Sequence, residues 1–488
     1  MQKFLMIAVL VCGLSACGGS KSTNNTTTPP AADPQQFVAL RDTIQADLTD
    51  NNAVAVSVAI YQDGEVVFAE AFGEKVQGGG ELATVDTLFQ LGSTTKMFTG
   101  LATLQLVQQG LLDTQDKLIN ALPGIQYPGV QALDWQNISI EHLLTHQGGL
   151  ADAYNGSDAN SSLVDYMTSI YPQQNQQMNP PGLFHNYSNP NWSYLGAVVE
   201  TLSRQPYAEY MQQSVFEPLG MQRTFLERSD AVSDGDYALG FQELGDNETF
   251  LTEADQIPST PSASPAGSET WSTPTQQLKM ADFLLNGNSD ILSNQLRTEI
   301  TTAQVSQAFA GLPMNYGYGI YVDDGFMYDN QWYPEKVWQH GGNTTAYTSL
   351  FWILPEKNIA VSIMSSGAFN SFEASMVAAL ESVTELPAAQ PEPFAPSNPD
   401  EYGKHEGIYN TGPLTLIISK ENQKLEMNSP ELDANGTPYE KRLFPVGGST
   451  FAAFVENEEI LVTFLPITDG GESVYLRTRN LVGIKDGY

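Results

Sequence analysis

The sequence predicts an α+β fold: an antiparallel sheet flanked by helices, with a separate helical lobe, followed by a small C-terminal antiparallel β-barrel. Strand patterns occur at 53–72 and again from 314 to 365, and a mainly helical, loop-rich stretch lies between them. A proline-rich segment at 387–400 then precedes about eight short strand-like runs separated by turn residues. Regular short strands of this kind are typical of a small barrel or sandwich.

The first residues predict export. Lys3 precedes a short apolar run that ends at Leu14, which suits a signal peptide and is too short to cross a bilayer. The run continues into Ser15-Ala16-Cys17-Gly18, which resembles the lipobox of bacterial lipoproteins. That resemblance implies that Cys17 is acylated and anchors the protein in the cell envelope, on the periplasmic side of the outer membrane because Gly18 is not an aspartate. An ordinary signal peptide followed by a chance cysteine is the alternative.

The segment after Cys17 is polar, rich in Thr and Pro, and without periodicity, so we expect a flexible tether at 18–36. Both cysteines of the chain, Cys12 and Cys17, lie in the leader. The mature domains therefore have no disulfide, thiolate metal site or cysteine nucleophile, and we expect no cofactor. The 56 acidic and 21 basic residues give a formal net charge of −35, which disfavours nucleic acid as a partner.

Local sequence patterns predict the individual helices and strands along the chain. Asp63-Gly64 between two β-rich runs predicts a hairpin. Met97, Leu101 and Leu104 recur at helical spacing between Thr94 and Gln109. The further expected helices lie at 139–146, 189–204 and about 369–385, and the further expected strands at 87–91, 317–322, 336–340, 344–354 and 359–365.

Ser93-Thr94-Thr95-Lys96 lies where a strand gives way to a helix. A serine in the first helical turn has its Oγ near unpaired backbone N–H groups and the positive end of the helix dipole. Lys96 follows one turn later on the same face, where its amine can activate the hydroxyl if burial or positive neighbours lower the pKa of the lysine. The plainer interpretation is a capping serine and a surface lysine.

Tyr187-Ser188-Asn189 lies on a loop that opens a helix. Tyr187 can relay protons if Lys96 lowers the pKa of its phenol, and Asn189 can accept a hydrogen bond from the lysine and donate one to a substrate carbonyl. The similar triplet Tyr328-Asp329-Asn330 lies in a polar hairpin and is predicted to be a turn. The plainer interpretation of Tyr187 is a half-buried core tyrosine.

His340-Gly341-Gly342 lies in the second strand region. Two glycines allow a ligand to approach the backbone closely. The backbone N–H groups of Asn343 and Ser93 are then candidates for an oxyanion hole.

The three motifs in this order resemble the penicillin-binding-protein and serine β-lactamase family, and most closely its class C-like branch of D-peptidases and esterases. The resemblance covers about 37–385 and includes the flanking runs 142–150, 187–196, 217–221 and 265–267. It implies a hydrolase domain at 37–386, a linker at 387–401 and a barrel module at 402–488. It also implies acyl transfer, with Ser93, Lys96 and Tyr187 catalytic and Asn189, His340, Gly341, Gly342 and Asn343 binding substrate.

The third motif departs from the family pattern, because His340 stands where many members have a lysine that holds the substrate carboxylate. Neutral imidazole weakens that contact, so a D-amino-acid peptidase, carboxypeptidase-type amidase or carboxylesterase is favoured. The alternatives are a β-lactamase and a non-catalytic peptidoglycan-binding lipoprotein. The expected partner is a small-molecule, peptide or ester substrate, and peptidoglycan fragments are one source. His142 and His146 have a metal-like spacing without a third ligand, so we expect no metal there.

Overall fold

The computed structural model describes residues 35–126, 134–153, 161–175, 177–244, 248–251, 265–309, 311–391, 393, 395–468 and 470–488. The predicted signal peptide, most of the tether and the predicted anchor Cys17 lie outside the described residues. Within the described residues, no helix is long and apolar enough to span a membrane.

Helices form most of the middle of the chain and flank the sheet. The α-helices in chain order are α1 Val38–Asp50, α2 Lys96–Gln108, α3 Leu118–Ala121, α4 Ile140–Leu144, α5 Leu163–Asp165, α6 Tyr171–Gln174, α7 Asn189–Ser203, α8 Tyr207–Tyr210, α9 Glu217–Leu219, α10 Arg228–Asp234, α11 Pro265–Ser268, α12 Pro274–Asn286, α13 Asn294–Ile300, α14 Glu373–Glu381 and α15 Pro430–Asn435. Tighter 3₁₀ turns occupy Gly92–Thr95, Trp135–Asn137 and Pro399–His405, and wider π turns occupy Tyr166–Ile170 and Met211–Phe216.

Strands lie mainly at the two ends of the first domain and throughout the second. In chain order they are β1 Ala55–Gln62, β2 Glu65–Gly73, β3 Phe89–Gln90, β4 Phe241–Leu244, β5 Glu248–Leu251, β6 Trp271–Ser272, β7 Val305–Phe309, β8 Leu312–Tyr316, β9 Tyr321–Asp323, β10 Phe326–Tyr328, β11 Gln331–Tyr333, β12 Val337–Asn343, β13 Tyr347–Leu354, β14 Ile359–Ser366, β15 Gly407–Asn410, β16 Thr415–Glu421, β17 Lys424–Asn428, β18 Arg442–Gly447, β19 Thr450–Val455, β20 Glu458–Pro466, β21 Ser473–Arg477 and β22 Val482–Lys485.

Eight strands form one antiparallel sheet in the order β2-β1-β14-β13-β12-β9-β8-β7. The early strand β1 pairs with the late strand β14, with Val56 opposite Ser365 and Gln62 opposite Ile359. The helical lobe is therefore an insertion between the two halves of one sheet. The α+β prediction is confirmed, including the turn at Asp329 and Asn330, whose positive φ angles fit a tight hairpin between β10 and β11.

Strand β1 shows how the sheet separates two apolar layers. Val56, Val58 and Ile60 face a core shared with α1 and α14, whereas Ala55 and Ala59 face the helical lobe. This alternation follows from the two-residue period of a strand. Helix α1 was not predicted, although its buried residues Leu40, Ile44 and Leu48 have the i, i+4 spacing of a helix face.

Helix α2 runs through the middle of the first domain. Its residues from Lys96 to Leu106 are all buried, so the helix is enclosed on every side instead of showing one apolar stripe. A lysine in the first turn of such a helix is carried out of water by the fold itself. The lobe therefore places an ionisable amine in an apolar core.

Strands β15–β22 close into an antiparallel barrel, which confirms the predicted C-terminal module. Its interior is filled by apolar side chains, including Tyr409, Leu425 and Phe451. A small apolar cluster joins the barrel to the first domain, where the rings of Phe184 and Tyr475 lie 5.5 Å apart. The boundaries proposed at 37–386, 387–401 and 402–488 stay predictions.

Candidate active site

Ser93 lies in a turn between the short strand β3 and helix α2. Gly92 before it has a φ of +56°, a conformation that glycine adopts without a steric cost. A Cβ at Gly92 would lie 2.6 Å from the backbone N of Asn343, so a larger residue would collide with strand β12. The turn that carries Ser93 is therefore pressed against the strand that carries the third motif.

Lys96 brings its amine to the Ser93 hydroxyl. Its Nζ lies 3.0 Å from Ser93 Oγ, 2.7 Å from Asn189 Oδ1 and 2.9 Å from the carbonyl oxygen of Gly267. The last two atoms can only accept hydrogen bonds. A neutral amine satisfies both with its two N–H groups and turns its lone pair toward Ser93, so the hydroxyl can donate to it.

The electrostatic surroundings favour that neutral form. Burial lowers the pKa of Lys96 well below its usual value; the charge of Asp152 opposes this shift and the charge of Arg479 adds to it. The side chain is fully buried. Removal of an ammonium from water is costly, so burial favours the neutral amine over the ammonium. Lys96 is thus positioned and poised to act as a base toward Ser93.

Tyr187 covers the amine. Lys96 Nζ lies 4.9 Å from the centre of the phenol ring, and the ring stacks on His146 at 4.2 Å. Burial raises the pKa of Tyr187 further above its usual range, with the neighbouring Tyr321 adding to the shift and a hydrogen bond with Ser93 opposing it. The lowering of this pKa by Lys96, which was the condition for a proton relay through Tyr187, does not occur, because loss of water outweighs the nearby charges. Tyr187 therefore remains a proton donor.

Asn189 fixes the geometry of the second motif at the start of α7. Its Oδ1 accepts from Lys96, and its backbone N–H donates to Asp152 Oδ1 at 2.9 Å. The residue is therefore held at both its backbone and its side chain. The predicted contact with a substrate carbonyl stays a prediction.

The third motif lies on β12 beside the turn that carries Ser93. A Cβ at Gly342 would collide with the carbonyl oxygen of Leu91, whereas one at Gly341 would meet nothing nearer than 3.9 Å. Close packing thus explains Gly342, whereas a Cβ at Gly341 would make only ordinary van der Waals contacts. The Asn343 side chain accepts from Thr348 Oγ1 at 2.8 Å, and the backbone N of Asn343 lies beside Gly92, the residue before Ser93.

His340 is buried at 2% exposure and its Nδ1 lies 2.6 Å from the Gly341 carbonyl oxygen. Burial, with the charge of Lys96, lowers the pKa of His340 to about 3. The imidazole is therefore neutral at ordinary pH and supplies no positive charge for a substrate carboxylate.

His146 is a site residue that sequence reasoning missed, since its motif suggested only the end of a helix. Beneath Tyr187, its Nδ1 lies 3.1 Å from the Ser188 carbonyl oxygen and its Nε2 accepts from Trp192 Nε1 at 3.0 Å. The backbone N–H of Ser188 donates to the same Nδ1 at 3.0 Å, and burial lowers the pKa of His146 well below its usual value, so the contacts fit a neutral ring. His142 is structural, because it completes a capping box with Ser139. Among the described residues, no His, Cys, Asp or Glu cluster suits a metal ion.

The barrel contributes Arg479, which sequence reasoning also missed. Its guanidinium carbon lies 4.9 Å from the centre of the Tyr187 ring, and its Nε donates to Asp152 Oδ2 at 2.7 Å. A cavity of about 600 Å³ lies between the segment at 185–187, the sheet residues Met314 and Tyr321, and the barrel residues at 459–463 and 477–481. The barrel therefore forms one wall of a cavity that Tyr187 also lines.

A hydroxyl at the start of a buried helix, an amine 3.0 Å from it and a phenol ring over the amine are an arrangement that suits a serine hydrolase. The fold agrees with this class. The sequence model named Beta-lactamase matches residues 40–384, and the chain belongs to that family of serine hydrolases.

Curated relatives are distant. The Protein flp of Staphylococcus aureus strain N315 is 24% identical over 337 residues, which are 66% of this chain and 61% of that protein. A Beta-lactamase of Yersinia enterocolitica is 28% identical over 43% of this chain and 51% of that protein. The chain thus spans only about three fifths of the Staphylococcus relatives.

Solved structures share the fold. SurE superimposes with a TM-score of 0.70 and 20% identity, and the match covers 92% of this chain and 99% of SurE. The D-amino acid amidase of Ochrobactrum anthropi SV3, complexed with L-phenylalanine amide, has a TM-score of 0.58 and 21% identity, and the match covers 71% of this chain and 98% of that one. The first of these matches extends over the barrel as well as the hydrolase domain, because it covers nearly the whole described chain.

Proposed function

We propose that this protein hydrolyses amide or ester bonds through an acyl-enzyme on Ser93. The observation that carries the proposal is the contact of Lys96 Nζ with Ser93 Oγ at 3.0 Å, while the two neighbouring acceptors occupy the N–H groups of the neutral amine. This geometry supports direct transfer of the hydroxyl proton to nitrogen.

The proposed acylation proceeds in two steps. Lys96 Nζ takes the Ser93 proton as Oγ bonds to the substrate carbonyl carbon, and the carbonyl electrons move onto oxygen between the N–H groups of Ser93 and Asn343. Collapse of this intermediate breaks the bond to the leaving group. Tyr187 donates its proton to the leaving group, and Lys96 returns a proton to Tyr187.

In deacylation, water is the nucleophile and Lys96 again acts as the base. Water loses a proton to Lys96, and its oxygen bonds to the acyl carbon. The bond to Ser93 Oγ then breaks, Lys96 Nζ returns the proton to Oγ, and a carboxylic acid is released. No cofactor is needed for this balance.

The proposed substrates are D-amino-acid amides or peptides, with carboxylic esters as the second class. The neutral His340 supports amides and esters over β-lactams, because the motif lacks the cation that holds a β-lactam carboxylate in related enzymes. Similar folds include a D-amino acid amidase and SurE in complex with D-Leu. Fragments of peptidoglycan are a natural source of D-amino-acid peptides in the envelope.

β-Lactam hydrolysis is the alternative activity, and the named Beta-lactamase relative favours it. Nitrocefin, p-nitrophenyl butyrate and D-alanine p-nitroanilide form the test panel for the purified mature chain. We expect turnover of the ester or the D-anilide to exceed that of nitrocefin, and Ser93→Ala to abolish all turnover. Faster turnover of nitrocefin would reverse the ranking, and turnover retained in Ser93→Ala would refute the acyl-enzyme.

A non-catalytic envelope protein that binds peptidoglycan is the remaining alternative. A fluorophosphonate probe that labels the wild type but not Ser93→Ala would exclude it. The envelope location is proposed from the lipobox-like run that ends at Cys17. We expect Cys17→Ser to move the protein from the membrane fraction to the soluble fraction, and unchanged fractionation would refute the anchor.

A further inference from the structure

The third motif supplies no cation to the site, but the barrel does. His340 is neutral, Lys96 is a buried base, and Arg477 turns inward to donate to the His185 carbonyl oxygen at 2.5 Å. Among the described residues that line the cavity, Arg479 is the remaining cation, and its side chain is 56% exposed.

The loop that carries Arg479 is fixed on the catalytic segment. Arg477 bonds the backbone of His185, and Asn186 Nδ2 donates to the Arg479 carbonyl oxygen at 3.3 Å. Asp152, whose side chain is 6% exposed, holds Nε and Nη2 of Arg479 at 2.7 Å through one oxygen. The guanidinium is thus oriented before any ligand arrives, and no residue in the part of the chain that the structure describes accepts from Nη1.

We propose that Arg479 of the C-terminal barrel binds a carboxylate of the substrate in the cavity between the two domains. The proposal names the substrate class of the proposed function, and it rests on that function for the bond that is cleaved. Arginine suits this task because its planar donors match the geometry of a carboxylate.

The rest of the cavity indicates what accompanies the carboxylate. Met314, Ile460, Leu461 and Leu481 line it, together with the ring of Tyr321. An apolar side chain next to the carboxylate would bury its surface there. The substrate class is therefore an acylated amino acid or peptide with an apolar residue and a free carboxylate.

A binding measurement tests this without requiring turnover. In the full chain carrying Ser93→Ala, calorimetric titration compares N-acetyl-D-phenylalanine with its neutral amide. We expect the carboxylate to bind tenfold or more tightly than the amide. Adding Arg479→Gln should remove this difference, and Arg479→Lys should restore part of it.

The control is Arg442→Gln, since Arg442 lies on the barrel over Phe444 at 4.8 Å and does not line the cavity. This substitution should leave the difference in affinity between the carboxylate and the amide unchanged. Equal affinity for the two ligands, a difference that persists in a folded Arg479→Gln variant, or no binding of the carboxylate into the millimolar range would overturn the proposal. Failure of Ser93 to form an acyl-enzyme would instead refute the proposed function, because this titration does not involve that step.

Discussion

Asp152 and Arg479 form an ion pair between the two domains, with Arg479 Nη2 2.7 Å from Asp152 Oδ2. The other carboxylate oxygen accepts a hydrogen bond from the backbone N–H of Asn189, whose side chain contacts Lys96. The barrel is thus connected to Lys96 through one buried carboxylate. Both charges act on Lys96, and they act in opposite directions.

This arrangement predicts opposite pH shifts for two variants. The neutral form of Lys96 is the base, so kcat/KM should fall at acid pH as the amine becomes protonated. Asp152 raises the pKa of Lys96 and Arg479 lowers it, against the larger effect of burial. Asp152→Asn should therefore move the acid limb to lower pH, and Arg479→Gln should move it to higher pH.

The measurement is the pH profile of kcat/KM for an uncharged ester, with Arg442→Gln as the control that should match the wild type. A neutral ester is used because its protonation does not change across the range. Shifts in the same direction for both variants, or no shift in either, would contradict the account.

The base itself can be tested by two substitutions of different charge. Lys96→Ala removes the amine, and Lys96→Arg keeps a positive charge that a guanidinium does not lose at ordinary pH. Because neither variant can accept the Ser93 proton, we expect kcat/KM to fall by about 10²–10⁴-fold in both. Circular dichroism should show that both remain folded. Substantial activity in Lys96→Arg would show that the charge matters and the lone pair does not.

Tyr187 should act as a proton donor, and the pH profile of kcat should show no loss of activity near the usual pKa of a tyrosine. Since burial raises its pKa, the phenol stays protonated well above neutral pH. Tyr187→Phe should lower kcat by roughly 10²-fold or more, because protonation of the leaving group is lost. The effect should be larger for an anilide than for a p-nitrophenyl ester, whose leaving group departs without a proton. Equal losses on both substrates would contradict this role.

The barrel should become less stable in mild acid through His405. Burial lowers the pKa of this imidazole to about 4, and its Nδ1 lies 2.7 Å from Ser473 Oγ. Below the ordinary pKa of 6.5, His405 is protonated in the unfolded chain, whereas in the folded chain it stays neutral until the pH nears 4. The free energy of unfolding therefore falls as the pH falls from 6.5 toward 4.

This loss should reach about 2 kcal/mol at pH 5, at about 1.4 kcal/mol for each pKa unit. Urea unfolding of the wild type and His405→Gln at pH 7.5 and pH 5 measures it. The variant should be less stable at the higher pH but should lose less on acidification. An equal loss in both proteins would refute the assignment.

Motifs close together in sequence could be predicted, whereas contacts between distant segments could not. Ser93 and Lys96 are three residues apart, so helical geometry alone brings them together. Runs rich in β-forming residues likewise predicted the two halves of the sheet. By contrast, Arg479 reaches Asp152 across 327 residues, and no spacing or composition marks either residue.

The pKa of Tyr187 shows a second limit. The sequence indicated a nearby lysine, which would lower the pKa of the phenol, but it carried no measure of burial, which raises it. His146 was missed for a related reason: its local pattern describes the end of α4, and its contact with Tyr187 arises from tertiary packing.

The central claim is that the Lys96 amine activates the Ser93 hydroxyl, and mass spectrometry of covalent adducts tests it most directly. The purified protein is incubated with a fluorophosphonate and with a panel of esters, D-peptides and β-lactams, then digested. We predict one adduct on the peptide that contains Ser93, much slower labelling in Lys96→Ala, and none in Ser93→Ala. Labelling at another residue, or an unchanged rate in folded Lys96→Ala, would contradict the mechanism.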